Sequence, residues 1–184
     1  MTMNNLVGEI IATFHSEGQQ SYGERITILE HSLQSAWFAQ QDGASETLVL
    51  AALLHDYGHL IHRLGEDIAD RGVDAAHEEI GANFLAQHFP DEITEPIRLH
   101  VAAKRHLCTT DPDYLGQLSE ASVQSLALQG GPMTDAEVRI WQGKPHFEDG
   151  LKLRSYDDEG KVPELEVPEL ETYRALLEKH LSNS

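Results

Sequence analysis

The chain has little of three things that mark secreted, membrane or nucleic-acid-binding proteins. Its 184 residues include a single cysteine, Cys108, so an intramolecular disulfide is excluded and a reducing cytoplasm is favoured. Only 13 lysines and arginines face 31 aspartates and glutamates, a net charge of −18 that disfavours broad binding to nucleic acid or anionic membranes. The longest apolar stretch, Leu48–Leu54, is too short to span a bilayer, and residues 1–14 do not resemble a signal peptide. We therefore expect a soluble, cytoplasmic protein without a nucleic-acid or membrane partner.

The apolar residues recur at helical spacing, and no stretch alternates apolar and polar residues as a half-buried strand would. We therefore predict an all-α fold in one domain, residues 1–184, built as a helical bundle around a central site. The predicted helices are 3–16, Thr27–Gln41, Glu46–Arg63, Ala75–His88, a helix capped near Thr94 and ending at about Leu107, Ser119–Leu128, a helix opened by Thr134, Phe147–Tyr156 and Tyr173–Leu181. Ser45 is a predicted N-cap, and Thr134 with Glu137 fits a capping box. Residues 64–73 are predicted to be a loop.

The most informative local feature is the pair His55-Asp56, in the middle of the most apolar predicted helix. Burying an ionised carboxylate beside an imidazole costs several kcal/mol unless partners compensate. A metal ion compensates both groups, because imidazole and carboxylate are standard ligands. Neighbours on a helix point about 100° apart, so this spacing suits an aspartate shared between two ions. The alternative is an ordinary hydrogen-bonded polar pair at a helix end.

Four further residues carry metal-ligating groups on the apolar faces of other predicted helices: His31, His77, His100 and Asp157. His31, for example, lies on the stripe of Ile28 and Phe38, where a solvated histidine would be out of place. Each residue alone fits a buried core or boundary position with hydrogen-bond partners. The combined order H…HD…H…H…D across successive helices favours a metal centre.

These residues, with the His55-Asp56 dyad, resemble the HD-domain superfamily of metal-dependent phosphohydrolases and, more narrowly, its diiron oxygenase branch. The resemblance implies that Asp56 bridges two irons, a mixed-valent Fe(II)/Fe(III) pair that uses O2 as co-substrate. It assigns His31, His55 and Asp157 to one iron, and His77 and His100 to the other. The ligand types alone would accept several divalent metals, so the choice of iron comes from the resemblance.

Longer segments are similar to the bacterial phosphonate oxygenases of the PhnZ and TmpB types. They are LEHSLQ, AALLHDYGH, HVAAKRHLC, LSEAS, LQGGPM and KVPELEVPELETYR, and the similarity runs from about Tyr22 to Arg174. It implies cleavage of the carbon–phosphorus bond of a 1-hydroxy-2-aminoethylphosphonate, or of its N-trimethylated analogue, with release of phosphate and glycine or glycine betaine. It also implies that the enzyme works downstream of a hydroxylase that makes the 1-hydroxyphosphonate.

An acidic protein that binds a phosphonate needs local cations or hydrogen-bond donors. Lys104 lies one helical turn after His100 and His59 one turn after His55, so each shares a face with a predicted ligand. Without the resemblance, a solvated lysine and a polar helix end explain these two residues equally well. The resemblance assigns His59, Lys104, Ser122 and Gln129 to the substrate, and gives catalytic roles to Asp56, His59 and Lys104.

The cationic end of such a substrate requires a carboxylate or an aromatic face. The resemblance places a tyrosine and a glutamate upstream of the first ligand, and Tyr22 and Glu24 are the matching residues. They are one residue closer together than the family pattern expects, and an ordinary surface loop is the alternative. Nothing in them decides between a primary ammonium and a trimethylammonium.

Two other functions use the same ligand pattern. One is an HD-domain phosphohydrolase that acts on a nucleotide or phosphomonoester with Mg²⁺, Mn²⁺ or Zn²⁺. The other is a non-enzymatic module that keeps a metal for stability. The phosphonate oxygenase is the preferred hypothesis, because the long matching segments are more specific than the HD pattern.

Overall fold

Ten α-helices and two 3₁₀ turns make up the regular structure in a computed structural model that describes residues 3–21, 25–61 and 76–182. The helices are α1 (Met3–Glu17), α2 (Ile28–Gln41), α3 (Glu46–Leu54), α4 (Tyr57–Ile61), α5 (His77–Leu85), α6 (Asp91–Thr110), α7 (Glu120–Leu128), α8 (Asp135–Trp141), α9 (Phe147–Glu159) and α10 (Arg174–Lys179). The 3₁₀ turns are Tyr114–Gln117 and Leu170–Tyr173. Over these ranges there is no strand, and the predicted all-α fold is confirmed.

Helices α2, α3, α6 and α9 pack against one another and form the centre of the bundle. Helix α3 is apolar on every side, and all of its residues from Leu48 to Leu54 are buried, as expected for a central helix. Helix α5 packs on α4 and α6, and α1 packs on α4 and α10. A smaller apolar cluster of Ala102, Met133 and Phe147 joins α6 to the start of α9. No described helix is long and apolar enough to cross a membrane.

Side-chain caps fix four of the described helix starts, at Thr27, Ser45, Ser119 and Thr134. The hydroxyl of Thr27 accepts from the amide of Glu30, whose carboxylate accepts from the amide of Thr27, so α2 opens with a capping box. The predicted box at Thr134 and the predicted N-cap Ser45 are both confirmed. The N-cap of α2 therefore lies at Thr27, where the sequence predicted the helix to begin.

The prediction of one helix from Glu46 to Arg63 is wrong. Helix α3 ends at Leu54, His55-Asp56 forms a turn, and α4 resumes at Tyr57. At this break, Nδ1 of His55 lies 2.8 Å from the carbonyl oxygen of Ala52, the acceptor that Asp56 would use in a continuous helix. Arg63 and the predicted loop 64–73 lie outside the described residues.

Helix α6 also begins earlier than predicted, at Asp91 instead of after Thr94, and it accommodates Pro96 in its interior. Ile93 and Ile97 are fully buried on the face that carries His100, and this burial offsets the hydrogen bond that Pro96 cannot donate. Asp91 and Glu92 in the first turn favour the positive end of the helix dipole. The same helix continues to Thr110, beyond the predicted end at Leu107.

Three smaller differences also bear on the site or the C-terminal region. Helix α5 begins at His77 because Ala76 adopts a left-handed conformation with φ of 48°. Helix α9 runs to Glu159, so Asp157 lies in its last turn and not beyond its end. The helix predicted from Tyr173 to Leu181 is shorter, because Tyr173 ends the second 3₁₀ turn and α10 runs from Arg174 to Lys179.

Candidate metal centre

Five elements bring the predicted ligands together in the middle of the bundle. Helix α2 contributes His31, α5 contributes His77, α6 contributes His100, α9 contributes Asp157, and the turn after α3 contributes His55 and Asp56. All six are buried, and none exposes more than 8% of its surface. Buried polar side chains at this density require mutual partners or a metal ion.

The carboxylate of Asp56 has two sides, and each faces a different group of side chains. Its Oδ2 lies 3.6 Å from Nε2 of His31 and 3.5 Å from Nε2 of His55. Its Oδ1 lies 3.3 Å from Nε2 of His77 and 4.0 Å from Nε2 of His59. One carboxylate therefore stands between two clusters of ligand atoms, the arrangement that two ions sharing an aspartate would require.

The first cluster contains His31, His55 and Asp157, whose ligand atoms all lie within 4.8 Å of one another. Nε2 of His31 is 3.3 Å from Oδ1 of Asp157 and 3.1 Å from Nε2 of His55. Two imidazoles and a carboxylate, with Asp56 alongside, form an N/O donor set suited to a first-row transition metal.

The second cluster surrounds the other oxygen of Asp56. His77 and His59 form with Asp56 a group whose ligand atoms lie within 4.8 Å of one another, and the two rings stack with their centroids 4.0 Å apart. Nε2 of His77 also lies 3.1 Å from Nε2 of His100. The resemblance assigned His59 to the substrate alone, whereas the structure places its ring within the second cluster.

The ring tautomers favour a cation at the centre. Nδ1 of His31 lies 2.7 Å from the carbonyl oxygen of Gly160, Nδ1 of His55 faces Ala52, and Nδ1 of His100 lies 2.7 Å from the carbonyl oxygen of Ile97. Each Nδ1 must donate to its carbonyl, so in the neutral ring the lone pair is on Nε2. Two such lone pairs repel each other across the 3.1 Å between His31 and His55 unless a proton on one ring or a metal cation lies between them. The donor set therefore fits a metal ion.

The charge states of the carboxylates agree with a metal-binding role. Burial by itself raises the pKa of Asp56, but the adjacent imidazoles, His55 first among them, bring that pKa well below its ordinary value. Burial likewise opposes ionisation of Asp157, and the cations Arg154 and Lys161 bring its pKa well below its ordinary value. Both carboxylates are ionised near neutral pH, as metal ligation requires.

The histidines divide into two kinds. Burial lowers the pKa of His55, and burial with repulsion from His77 lowers the pKa of His100 further, so these two rings are neutral. Burial also opposes protonation of His31 and His77, but hydrogen bonds to Asp157 and Asp56 raise their pKa values above the ordinary value. A metal ion that bound to those two rings would displace their protons.

Glycine allows the close approaches that build the centre. A Cβ on Gly160 would lie 2.5 Å from the hydroxyl oxygen of Ser35, so only glycine lets this segment approach α2 closely enough to meet His31. Gln34 holds the same segment, because its amide donates to the carbonyl of Val162 and accepts from the amide of Val162. The chain after α9 is thereby fixed against the helix that carries the first ligand.

A group of cations and hydroxyls lies beside Asp157. Nζ of Lys104 donates to Oγ of Ser125 at 2.7 Å, and Nζ of Lys161 donates to Oγ of Ser122 at 3.2 Å. Lys161 also lies 3.3 Å from Oδ1 of Asp157, so it joins the hydroxyls to the ligand cluster. Burial and the neighbouring Arg154 lower the pKa of Lys104 to about 7. Together these side chains can bind a small anion next to the metal ligands.

The sequence did not identify several of these side chains. Arg154 precedes Asp157 by three residues on α9, so helical spacing was the available signal for it, whereas Lys161 lies beyond the end of that helix. Ser125 follows Ser122 by three residues on α7. The main-chain carbonyl of Gly160, which fixes the ring of His31, had no sequence signal at all.

The remaining residues that were predicted to contact the substrate are Gln129, His59, Tyr22 and Glu24. Oε1 of Gln129, at the end of α7, is buried without a hydrogen-bond partner among the described residues. The side chain of His59 is 21% exposed, the most of any histidine in the clusters. Tyr22 and Glu24 lie outside the described residues, and their predicted roles stay predictions.

Known proteins resemble the chain along most of its length. Residues 28–140 match a family model described as HD domain. A (1-hydroxy-2-(trimethylamino)ethyl)phosphonate dioxygenase (glycine-betaine-forming) of Leisingera caerulea is 43% identical over 170 residues, which cover 92% of this chain and 87% of that protein. A hydroxymethylphosphonate dioxygenase of Gimesia maris is 41% identical over 184 residues, 100% of this chain and 92% of that protein. An uncharacterised protein of Acanthamoeba polyphaga mimivirus is 38% identical over 97% of this chain and 83% of its own.

Proposed function

Because this chain belongs to the HD-domain family and, within it, to the phosphonate dioxygenases, we propose that it cleaves the carbon–phosphorus bond of a 1-hydroxyphosphonate with dioxygen. The observation that carries the proposal is the carboxylate of Asp56, whose two oxygens face two separate clusters of histidines. Such a carboxylate is suited to a pair of ions with different surroundings.

Two iron ions, a mixed-valent Fe(II)/Fe(III) pair, are the proposed cofactor. His31, His55 and Asp157 would hold one ion, His77 and His100 would hold the other, and Asp56 would be shared. His100 takes precedence over His59 at the second ion for two reasons. Its ring is buried and anchored by the carbonyl of Ile97, whereas His59 is partly exposed. His59 is left to face the substrate.

The phosphonate would bind at the cations beside Asp157. Lys104 and Lys161 supply positive charge, and Ser122 and Ser125 supply hydroxyl groups that can turn towards an anion. Gln129 stands at the end of the helix that carries both serines, and its buried Oε1 gains a partner if a hydroxyl group of the substrate donates to it. Lys104 and His59 would orient the substrate so that its C1–H bond faces the metal centre.

The reaction balances with dioxygen as the only oxidant. A substrate R–CH(OH)–PO₃²⁻ and O₂ yield R–COO⁻, HPO₄²⁻ and H⁺; the C–P and C1–H bonds break, and both oxygen atoms enter the products. Bound iron would provide the site at which dioxygen binds and would pass electrons from the substrate to it, with no net change in the metal. The chain's own groups would hold the anion and exclude water in a buried site. His59, whose Nε2 lies 4.0 Å from Oδ1 of Asp56, would contact the substrate at the edge of the second cluster.

The substrates named for the relatives differ in the group R that is attached to C1. The relatives are named for a trimethylammonio substrate and for hydroxymethylphosphonate, which share the 1-hydroxyphosphonate core. A 2-amino or 2-trimethylammonio substrate would yield glycine or glycine betaine, and hydroxymethylphosphonate would yield formate. We propose that Tyr22 and Glu24 contact a cationic R group where one is present.

The chemistry of the substrate also suggests which kind of reaction precedes this one. An unactivated phosphonate lacks the C1 hydroxyl, so a hydroxylase that installs it must act first. We propose that residues 1–184 form one catalytic domain and that it works in the reducing cytoplasm, where its single cysteine stays reduced.

The decisive experiment supplies the iron-loaded, partly reduced protein with hydroxymethylphosphonate, the 2-amino compound and the 2-trimethylammonio compound in separate reactions. Oxygen consumption and phosphate release are measured together, and we expect them to occur in a ratio of one to one with a preferred substrate. The matched control is the Asp56→Asn protein under the same conditions.

Anaerobic incubation separates this function from phosphoester hydrolysis. Phosphate release without dioxygen would overturn the oxygenase and favour a hydrolase, in which a metal-bound hydroxide attacks phosphorus. Bound metal without turnover of any of the three phosphonates would favour a non-enzymatic module.

A further inference from the structure

Arg154 is a buried cation one helical turn before Asp157 on α9, and it exposes only 3% of its surface. Its Nη1 donates to Oδ2 of Asp157 at 2.6 Å, and its Nη2 donates to Oδ1 of Asp158. Its Nε donates both to the hydroxyl of Tyr114, at 2.8 Å, and to Oδ2 of Asp158, at 3.0 Å. Every nitrogen of the guanidinium therefore has an oxygen partner, as a buried arginine requires.

These bonds divide the two oxygens of Asp157. Oδ2 is held by Arg154, while Oδ1 faces His31 at 3.3 Å and Lys161 at 3.3 Å. A carboxylate held at one oxygen cannot rotate freely about its last bond, and it presents only the other oxygen to the histidine cluster. The guanidinium thus sets which oxygen a metal ion would meet.

The hydrogen bonds continue outward from Arg154. The hydroxyl of Tyr114 donates to Oδ2 of Asp158 at 2.5 Å, which ties α9 to the first 3₁₀ turn. Tyr114 and Asp158 therefore hold the guanidinium in one orientation from the side away from the cluster. This chain of contacts, from Tyr114 through Arg154 to Asp157, reaches the ligand cluster without passing through the substrate cations.

We propose that Arg154 is a positioning residue that restricts Asp157 to a one-oxygen metal ligand, and that Tyr114 orients Arg154 for this task. The proposal rests on the ligand role given to Asp157 in the proposed function. A purely structural ion pair would stabilise the fold and leave the bound metal unaffected. A positioning residue also sets the affinity and the coordination geometry of one of the two ions.

Cobalt(II) is the probe, because its visible absorption reports coordination number and geometry and its binding needs neither substrate nor dioxygen. The full-length protein is titrated with Co²⁺ as wild type, Arg154→Met, Arg154→Lys and Tyr114→Phe. Arg105→Met is the matched control: it removes an arginine that is hydrogen-bonded to Glu137 and to the carbonyl of Gly131, away from the ligands. Circular dichroism and thermal unfolding establish that each variant is folded.

We expect Arg154→Met to lower the affinity for one of the two Co²⁺ ions by about 10- to 100-fold, the usual effect of removing a group that orients a ligand. The visible spectrum of the bound cobalt should also change. Arg154→Lys should lie between that variant and wild type, since lysine keeps the charge without the planar fork. Tyr114→Phe should alter the spectrum with a smaller loss of affinity, and Arg105→Met should leave both unchanged.

A folded Arg154→Met protein with wild-type affinity and spectrum would overturn the proposal. If that variant does not fold, Arg154→Lys and Tyr114→Phe decide, and an unchanged spectrum in both overturns it equally. Asp157→Asn tests the premise separately, because unaltered cobalt binding there would show that Asp157 is no ligand. Failure of the oxygenase function, by contrast, would leave these titrations as they are.

Discussion

A methyl group on Gly58 would place its carbon 2.0 Å from the carbonyl oxygen of His77, so α4 and α5 cross with no space for a side chain. A Cβ on Gly81 would likewise lie 3.0 Å from the amide nitrogen of Gly58. This crossing positions the ring of His77 beside Oδ1 of Asp56, at 3.3 Å. A close contact between two backbones therefore sets the geometry of the second ligand cluster.

Substituting Gly58→Ala should consequently remove one metal ion and leave the other. The methyl group forces α5 away from α4 and moves His77 from Asp56, whereas His31, His55 and Asp157 are on other elements. We expect the iron content of the purified protein, measured by emission spectrometry, to fall from two per chain towards one.

Gly8→Ala is the control for this substitution. Gly8 also lies in a helix, α1, but a Cβ there meets no atom within 4 Å, so the change should be neutral or slightly stabilising. A Gly58→Ala protein that keeps two irons and full activity would contradict the role given to the crossing.

The helical pattern was sufficient to predict the bundle and to single out candidate ligand residues on apolar helix faces, because both depend on spacing along the chain. His31, His77 and His100 recur on apolar helix faces, and the structure brings all three to one centre. The break at His55-Asp56 could not be read from the same pattern. The apolar run continues through Leu54 and Leu60, so periodicity carries no signal for a turn between α3 and α4.

The cationic side of the site was predicted only in part. Lys104 shares a face with His100, so helical spacing pointed to it. Lys161 lies after the end of α9, and only the folding of that segment against α2 and α7 brings its amine to Ser122. Contacts made by such segments depend on tertiary packing, and the sequence gives no period for them.

Asp56→Asn should impair both metal sites. The amide keeps the size of the carboxylate but supplies one neutral oxygen, so the two histidine clusters no longer share a charged ligand. Changes to orienting groups already cost about 10- to 100-fold in metal affinity, and loss of a shared ligand should cost at least about 100-fold. Iron content and calorimetric titration with Co²⁺ measure the effect.

The control for Asp56→Asn is Asp42→Asn, which removes the carboxylate that accepts from Tyr156 near the end of α2. That variant should bind two ions like wild type. Retention of two tightly bound ions by Asp56→Asn would show that this residue is not shared between them.

Lys161→Met should weaken substrate binding more than it slows turnover. The ammonium group of Lys161 reaches Ser122 and Asp157, where the phosphonate is proposed to bind, and methionine keeps the apolar part of the side chain. A hydrogen bond to a charged group contributes about 1.5 to 3 kcal/mol, so KM for the preferred phosphonate should rise by about 10- to 100-fold. Steady-state oxygen consumption gives KM and kcat separately.

Lys152→Met is the matched control, because Lys152 is an exposed lysine on the same helix, α9. Its kinetics should equal those of wild type at moderate salt. An unchanged KM in Lys161→Met would place the phosphonate elsewhere.

Lys104 should make substrate binding depend on pH. Its amine is buried among Arg154, Lys161, Asp157 and Asp158, and burial with the repulsion of Arg154 lowers its pKa to about 7. The amine is therefore charged below that pH and neutral above it, so KM should rise as the pH increases from about 7 to 9. The phosphonate itself gains negative charge over this range, which acts in the opposite direction and cannot produce the rise. In Lys104→Arg, whose guanidinium stays charged, the rise should disappear.

The pH dependence of stability also reports the pKa of Lys104. As the pH increases, the protein should become more stable while its substrate binding weakens. Between about 7 and the ordinary lysine value of 10.5, the unfolded chain holds a proton that the folded chain has released. The free energy of unfolding therefore increases with pH across this window, by up to about 1.4 kcal/mol per pH unit from this group alone. Urea denaturation of wild type and Lys104→Met at pH 7 and pH 9 isolates that contribution. If the difference between the two proteins is the same at both pH values, Lys104 does not have the depressed pKa, and the KM profile must have another cause.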